Sequence, residues 1–201
     1  MKIVSFALAA LMLVAGTAAV RADSPMAEVK ATTENILVLL KDPNLQGESK
    51  KAERQQLVRA QMEKRFAWDQ SARACLGRHW TRRTPEEKTE FTKLFSDFLK
   101  ETYSDKIATY YNDLDKINYQ GEKLIDDYAQ VKLVLTTKAK IDHPVEYRMQ
   151  KNASGDWKVY DVVIEGISLV KNYRDQFDAI IAKSSYEELI QEIKAKHPSA
   201  P

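Results

Sequence analysis

The clearest change of pattern in the chain lies in the stretch Trp157–Phe177. Aromatic and β-branched side chains dominate residues 157–165 and predict a buried strand. Gly166 interrupts this pattern, and from Leu169 the apolar residues recur every three or four positions, as on one face of a helix. Ser168 stands where its hydroxyl can cap that helix. The stretch therefore predicts a strand that turns sharply into an amphipathic helix, which fits either ordinary core or a functional element.

Helical patterns come first along the chain. Ser24 precedes Pro25, a pair typical of a helix start because the hydroxyl caps the helix and proline fits the first turn. Three helices are predicted before the middle of the chain: from Pro25 to Asp42-Pro43, from about Lys50 to Lys64, and from an Asp69 cap to a Gly77 stop.

The fourth predicted helix has the strongest signals. Thr84 and Glu87 form a capping box around a proline at the first helical position. Apolar residues, many of them aromatic, then recur at helical spacing to Ile107, and the helix is predicted to reach Tyr110. So wide a stripe must face a large apolar surface, either the core or a binding pocket.

Strand patterns follow from Asn112 onward. Lys132 lies between Val131 and Leu133 in a long predicted strand, so the charged side chain should face water and its neighbours the interior. A polar loop at residues 152–156 predicts a hairpin. A last helix is predicted from a Ser185–Glu188 capping box to Pro198. The order of elements predicts an α+β fold: a twisted antiparallel sheet, packed by helices on one side, that encloses an apolar pocket with the helix of residues 91–107.

Residues 1–22 are predicted to be a secretory signal peptide. Lys2 is a short positive region, residues 3–14 are apolar but too few to span a bilayer, and Val20 and Ala22 fit a cleavage site. The mature chain, residues 23–201, is expected to be one exported domain with no lipid anchor. Loss of Lys2 and Arg21 lowers the formal net charge from +2 to 0.

The chemistry of the chain argues against several classes of function. No block of like charge is long enough to grip a nucleic-acid backbone. The histidines are scattered without metal-ligand spacing, and Ser168 lies in a stretch that lacks the second glycine of a nucleophile elbow. Cys75 is the only cysteine, so an internal disulfide is impossible. We therefore expect no catalytic residue, no metal and no cofactor.

Asp161 and Glu165 are the one pair of carboxylates that suggests acid–base chemistry. Four residues apart on one strand, they would lie about 13 Å from each other, beyond the geometry of paired catalytic carboxylates. We expect hydrogen bonds or ion pairs instead, for example with Arg174 or Lys171.

Three stretches resemble the MlaC or toluene-tolerance family. They are Phe66–Trp80 with its LGRHW sequence, Thr84–Ile107, and Trp157–Phe177. The resemblance implies a periplasmic phospholipid carrier that is not an enzyme and holds diacyl phospholipid as cargo. It also implies two partners: an inner-membrane MCE-domain protein of an ABC transporter and an outer-membrane lipoprotein–porin complex. Such a carrier maintains the lipid asymmetry of the outer membrane, and we expect a monomer.

The candidate lipid-binding residues are apolar positions that face inward in the predicted elements. They are Phe91, Phe95, Phe98 and Tyr103 on the long helix, Val131, Leu133, Leu135, Tyr147 and Met149 on the sheet, and, more weakly, Val162, Ile164, Phe177 and Ile181. For each one, ordinary core is an alternative role. Two other functions stay open: a pocket enzyme acting on a small hydrophobic molecule, and an exported adaptor that binds only proteins. Arg174 is expected to be structural.

Overall fold

The computed structural model describes residues 24–195, so the predicted signal peptide and the predicted helix end at Pro198 lie outside the described part. The described residues form six α-helices and five β-strands. In chain order these are α1 (Pro25–Lys41), α2 (Lys51–Arg65), α3 (Trp68–Leu76), α4 (Pro85–Asp113), β1 (Leu114–Ile125), β2 (Tyr128–Thr137), β3 (Asp142–Lys151), β4 (Trp157–Ile164), β5 (Ile167–Ser168), α5 (Leu169–Lys183) and α6 (Tyr186–Ala195).

The strands form one antiparallel sheet in the order β1-β2-β3-β4-β5, so each strand pairs with its neighbour in sequence. The loop between β3 and β4 is closed by Asn152, whose side-chain oxygen accepts hydrogen bonds from the backbone N–H groups of Ser154 and Asp156. Helices precede and follow the sheet, which confirms the α+β prediction.

The two faces of the sheet differ as the sequence predicts. Val131 and Leu133 on β2 are buried, whereas Lys132 between them is exposed and lies 3.7 Å from Glu146 of β3. α1 packs on β2, and α3 and α5 pack on β4. α4 packs on α2, α3 and α6, so it forms a second helical layer.

Local capping fixes where several helices begin. Ser24 accepts a hydrogen bond from the N–H of Ala27, and Thr84 and Glu87 form the predicted reciprocal capping box. Two boundaries differ from prediction. Asp69 lies inside the first turn of α3 rather than at its cap, because Trp68 is already helical, and α4 continues to Asp113, three residues past the predicted end.

The buried apolar residues form two clusters. The helical core contains residues of α1 to α6, and the sheet core contains the inner face of the sheet together with Val29 of α1. The helical core includes Leu40, Val58, Met62, Ala72, Leu76, Phe91, Phe95, Phe177 and Leu189. The sheet core includes Val29, Ala129, Val131, Leu133, Val145, Met149, Trp157, Val159 and Val162. α1 therefore belongs to both clusters, through Val29 and Leu40.

Gly77 ends α3 in a backbone conformation that L-residues rarely adopt, with φ of 52°. A Cβ atom there would also lie 3.3 Å from Cδ of Arg174, whose Nε donates a 2.6 Å hydrogen bond to the carbonyl of Ala74. The expected structural role of Arg174 is thus explained: it ties α5 to the end of α3.

We expect Gly77→Ala to lower the free energy of unfolding by about 1–3 kcal/mol, because it combines a strained φ with a close contact. Urea denaturation measures the change. Gly47→Ala is the matched control, since Gly47 also has a positive φ but nothing within 4 Å of its Cβ position. Equal losses in both variants would show that the contact with Arg174 is unimportant.

Candidate functional site

Asp161 stabilises the turn that joins β4 to α5. Its side chain is 3% exposed. Its carboxylate accepts hydrogen bonds from the hydroxyl of Ser168 at 2.7 Å, the N–H of Val170 at 3.0 Å and Nη1 of Arg148 at 3.1 Å. Ser168 in turn caps α5 by accepting from the N–H of Lys171. The acidic residue is therefore a structural anchor for the start of α5.

Both carboxylates make the hydrogen bonds or ion pairs that the sequence predicts, but the two partners suggested for them, Arg174 and Lys171, are wrong. Arg174 contacts the end of α3, and Lys171 pairs with Asp175 one helical turn away at 2.6 Å. Glu165 lies in the turn after β4, where its side chain reaches Nδ1 of His143 at 2.6 Å. Asp161 pairs with Arg148 because the register of β3 and β4 places these two residues opposite each other.

The aromatic candidates on the helices pack mainly against one another. Phe91 and Phe95 stack with ring centroids 5.7 Å apart, and Phe177 meets both edge-on at 5.9 and 5.8 Å. Phe98 is half-buried and meets the ring of Tyr173 edge-on at 5.5 Å. These contacts place Phe91, Phe95 and Phe177 inside the helical core.

The remaining helical candidates are partly buried. Tyr103 packs against the helical core close to Tyr173, whose pKa is raised chiefly by burial and further by nearby Tyr103. Ile181 lines a groove of about 370 Å³ together with Arg78, His79 and Tyr186. The sheet residues among our candidates do not line that groove, so the structure does not bring Ile181 together with them.

The sheet candidates divide by exposure. Val131, Leu133, Met149 and Val162 are buried in the sheet core, whereas Leu135 and Tyr147 pack against it and remain partly accessible. Ile164 is 36% exposed at the end of β4. Of the predicted sheet residues, Leu135 and Tyr147 are thus the ones that pack against the sheet core and keep some accessible surface.

An open groove of about 540 Å³ lies where the two cores meet, and we call it the seam groove. Its apolar wall consists of Leu37 of α1, Tyr111 of α4, and Leu114, Ile117 and Tyr119 of β1. Tyr111 packs against the helical core, and Ile117 and Tyr119 pack against the sheet core. The groove therefore connects the surface with the boundary between the two clusters.

None of the residues of this apolar wall is among the sequence candidates. The alternation of Ile117 and Tyr119 in the sequence indicates that β1 has an inward face. This is the signal from which the residues of the groove could have been found. Register connects the missed residues to predicted ones: Ile117 lies opposite Leu135, and Tyr119 lies opposite Leu133.

Two tyrosines mark the inner side of the seam. Burial raises the pKa of Tyr147 to about 12, with a smaller contribution from nearby Tyr119. Burial also raises the pKa of Tyr119, although a hydrogen bond with Thr33 of α1 opposes the shift. Lys30 of α1 lies 4.9 Å above the Tyr119 ring. Tyr119 thus connects α1 to the sheet at the seam.

Residues 24–195 contain no cluster suited to a metal ion, and their cysteine is buried. No group of three or more His, Cys, Asp or Glu side chains among them is placed to hold a metal ion. Cys75 is buried, its Sγ lies 3.7 Å from the carbonyl oxygen of Val170, and burial raises the pKa of its thiol. Among the described helices, none is both long and apolar enough to cross a membrane.

Comparison with known proteins places this fold in a family. The profile of the MlaC protein family matches residues 30–195. The chain belongs to the MlaC family. A solved structure with the same architecture is the phospholipid-binding protein from Ralstonia solanacearum in complex with a phospholipid. Its TM-score to the present MlaC-family chain is 0.72 at 26% sequence identity, over 85% of this chain and 95% of that one.

Two curated relatives support the same family. The intermembrane phospholipid transport system binding protein MlaC of Haemophilus influenzae is 24% identical over 123 residues, which are 59% of this chain and 56% of that protein. The toluene tolerance protein ttg2D of Pseudomonas putida is 33% identical over 95 residues, or 47% of this chain and 43% of that protein. The MlaC-family chain described here thus aligns with about half the length of each.

Proposed function

We propose that this MlaC-family protein binds a diacyl phospholipid with its acyl chains in the seam groove and carries it between membranes. The observation that carries the proposal is the groove itself, an opening with one apolar wall at the boundary between two packed clusters. Its volume lies within the range of about 300–1,000 Å³ that small-molecule sites occupy. Support also comes from the likeness to the Ralstonia solanacearum protein, which was solved with a phospholipid.

The acyl chains need such a site because water is a poor solvent for them. Each exposed CH₂ group costs about 0.8 kcal/mol, so two chains cost on the order of 20 kcal/mol. We propose that the chains pass Ile117 and Tyr119 and continue between α1 and the sheet toward Leu135 and Tyr147. These two are the predicted lipid-binding residues of the sheet that pack against the sheet core and still keep some accessible surface.

The proposed route of transport follows the family resemblance. The carrier would shuttle lipid across the periplasm between an outer-membrane lipoprotein–porin complex and the MCE-domain protein of an inner-membrane ABC transporter. Because a bilayer and an apolar pocket solvate acyl chains similarly, transfer between them is close to neutral in free energy. Direction then comes from the partners, and the carrier needs no energy source.

Export follows from the predicted signal peptide. We expect cleavage after Ala22, because small residues at positions 20 and 22 follow the apolar segment. N-terminal sequencing of protein from the periplasmic fraction should begin at Asp23. Full-length protein retained in the cytoplasm would contradict the proposed location.

Lipid extraction and mass spectrometry of the purified protein test the function. We expect diacyl phospholipid in amounts comparable to the protein. Protein that carries no lipid and takes none from vesicles would contradict the proposal. Conversion of an added hydrophobic substrate would favour a pocket enzyme, and lipid-free protein that binds only protein partners would favour an adaptor.

The position of the site is tested by Ile117→Glu. The new carboxylate would lie against acyl chains and lose its hydration on lipid binding, which costs several kcal/mol. We expect bound lipid to fall about tenfold or more, while the fold survives because the groove is open to water. Bound lipid per protein and a thermal melt measure the two effects.

Ile167→Glu is the matched control for this variant. Ile167 is 62% exposed on β5, at the edge of the sheet opposite to β1. We expect this variant to keep both its lipid and its melting temperature. Equal lipid loss in the two variants would show that the chains do not enter at the seam groove.

A further inference from the structure

The charged residues of the seam groove stand beside its apolar wall. Three of them are lysines, Lys41, Lys116 and Lys138, and two are acids, Glu34 and Asp115. Asp115 is already paired with Lys140, whose Nζ lies 2.5 Å from its carboxylate. The lysines are therefore in excess at this opening.

Lys116 and Lys138 lie close together around Asp115, and Lys41 lines the same groove. The pKa of the Asp115 carboxyl is held below its usual range, chiefly by Lys140. Lys116 and Lys138 lie near enough to add to this effect. Lys138 donates one hydrogen bond to the carbonyl of Asn112 at 2.7 Å, which leaves two of its three ammonium donors. Within residues 24–195, Lys41 and Lys116 lie in no ion pair with a carboxylate.

We propose that Lys41, Lys116 and Lys138 form a subsite for the phosphate group of the bound lipid, at the rim of the seam groove. This inference rests on the proposed function. It adds which part of the groove contacts the phosphate of the lipid and which part contacts the acyl chains. An ammonium group acts as a compact charge that suits phosphate oxygens. The apolar wall beside it matches the acyl chains, so the opening has the same polarity pattern as a phospholipid.

The arrangement also has a consequence for selectivity. The lysines would favour lipids with an exposed phosphate over lipids of equal chain length that lack one. A net negative headgroup such as phosphatidylglycerol should bind best, because it adds no positive charge near the lysines. The candidate residues from the sequence carry no charged cluster and therefore predict little headgroup selectivity, so the lysines of the groove change that expectation.

The test compares two short-chain lipids that dissolve as monomers, so attraction to a membrane surface plays no part. The ligands are dihexanoylphosphatidylglycerol, which has a phosphate, and dihexanoylglycerol, which has none. Titration calorimetry of lipid-freed mature protein measures both affinities. The double variant Lys41→Gln/Lys116→Gln removes two charged contacts near the protein surface. We therefore expect it to bind the phosphatidylglycerol about tenfold more weakly and to bind dihexanoylglycerol with unchanged affinity.

A control variant and a titration with inorganic phosphate complete the test. Lys123→Gln/Lys183→Gln removes two exposed lysines outside the groove and should change neither affinity. Unchanged phosphatidylglycerol binding in the groove variant, or an equal loss for both lipids, would overturn the subsite. Inorganic phosphate bound as tightly as the lipid would show a phosphate site unrelated to lipid. Wild-type protein that binds neither lipid would overturn the proposed function as well.

Discussion

Leu133→Glu is expected to unfold the protein. Leu133 is 1% exposed in the sheet core and lies opposite Tyr119 on one side and Val145 on the other. The change removes a packed leucine and buries a carboxylate without a partner, which together cost about 5 kcal/mol or more. Since most domains are stable by only about 5–15 kcal/mol, little folded protein should remain. Circular dichroism and a thermal melt provide the measurement.

Lys132→Glu is the matched control, because it introduces the same residue one position earlier on the outer face of the same strand. Lys132 is exposed and its ion pair with Glu146 is long, so its reversal should cost no more than about 1 kcal/mol. A Leu133→Glu protein that melts like the wild type would show that Leu133 faces a water-accessible pocket instead of packed core. Bound lipid per protein, measured in parallel, would then report whether that pocket holds lipid.

The second large effect is expected for Asp161→Ala. The change leaves the N–H of Val170 and the hydroxyl of Ser168 without an acceptor, and Arg148 without its buried partner. We expect a loss of about 2–4 kcal/mol in the free energy of unfolding, because two buried donors lose their acceptor while Arg148 keeps Glu146 as a partner. Urea denaturation measures the loss, and faster hydrogen exchange at the start of α5 should accompany it.

Asp175→Ala is the control, because it removes an ordinary surface charge instead of the buried carboxylate of Asp161. Asp175 also bonds a basic residue of α5, Lys171, but both side chains are exposed. We expect a loss below about 1 kcal/mol from that variant. If Asp161→Ala were no more damaging than Asp175→Ala, the buried hydrogen bonds described above would not hold the turn together.

Local signals in the sequence were enough to place most elements. The capping box at Thr84, the hydroxyl at Ser168 and the glycine at position 77 act over a few residues, so their sequence patterns determine their structure directly. Alternation likewise predicted that Lys132 and Leu133 face opposite sides. Such rules need no knowledge of the rest of the chain.

Contacts between distant residues were beyond the sequence. Periodicity shows that one face of α4 is buried, but not that Phe91 and Phe95 pack against Phe177 rather than the sheet. The partner of Asp161 depends on strand register, which places Arg148 opposite it. The seam groove needs three elements at once, α1, the end of α4 and β1. No single segment of the sequence therefore contains a pattern that identifies the seam groove.

The position of α1 also affects the order in which the protein folds. The strands pair in sequence order, so each hairpin closes only a short loop. The backbone N–H of Met26 in α1, by contrast, bonds Glu122 across 96 residues of chain. Loop-closure entropy makes such a contact slow to form, so docking of α1 should follow assembly of the sheet. The inner face of β1 and β2 would then stay exposed until that step, and the groove would exist only once it is complete.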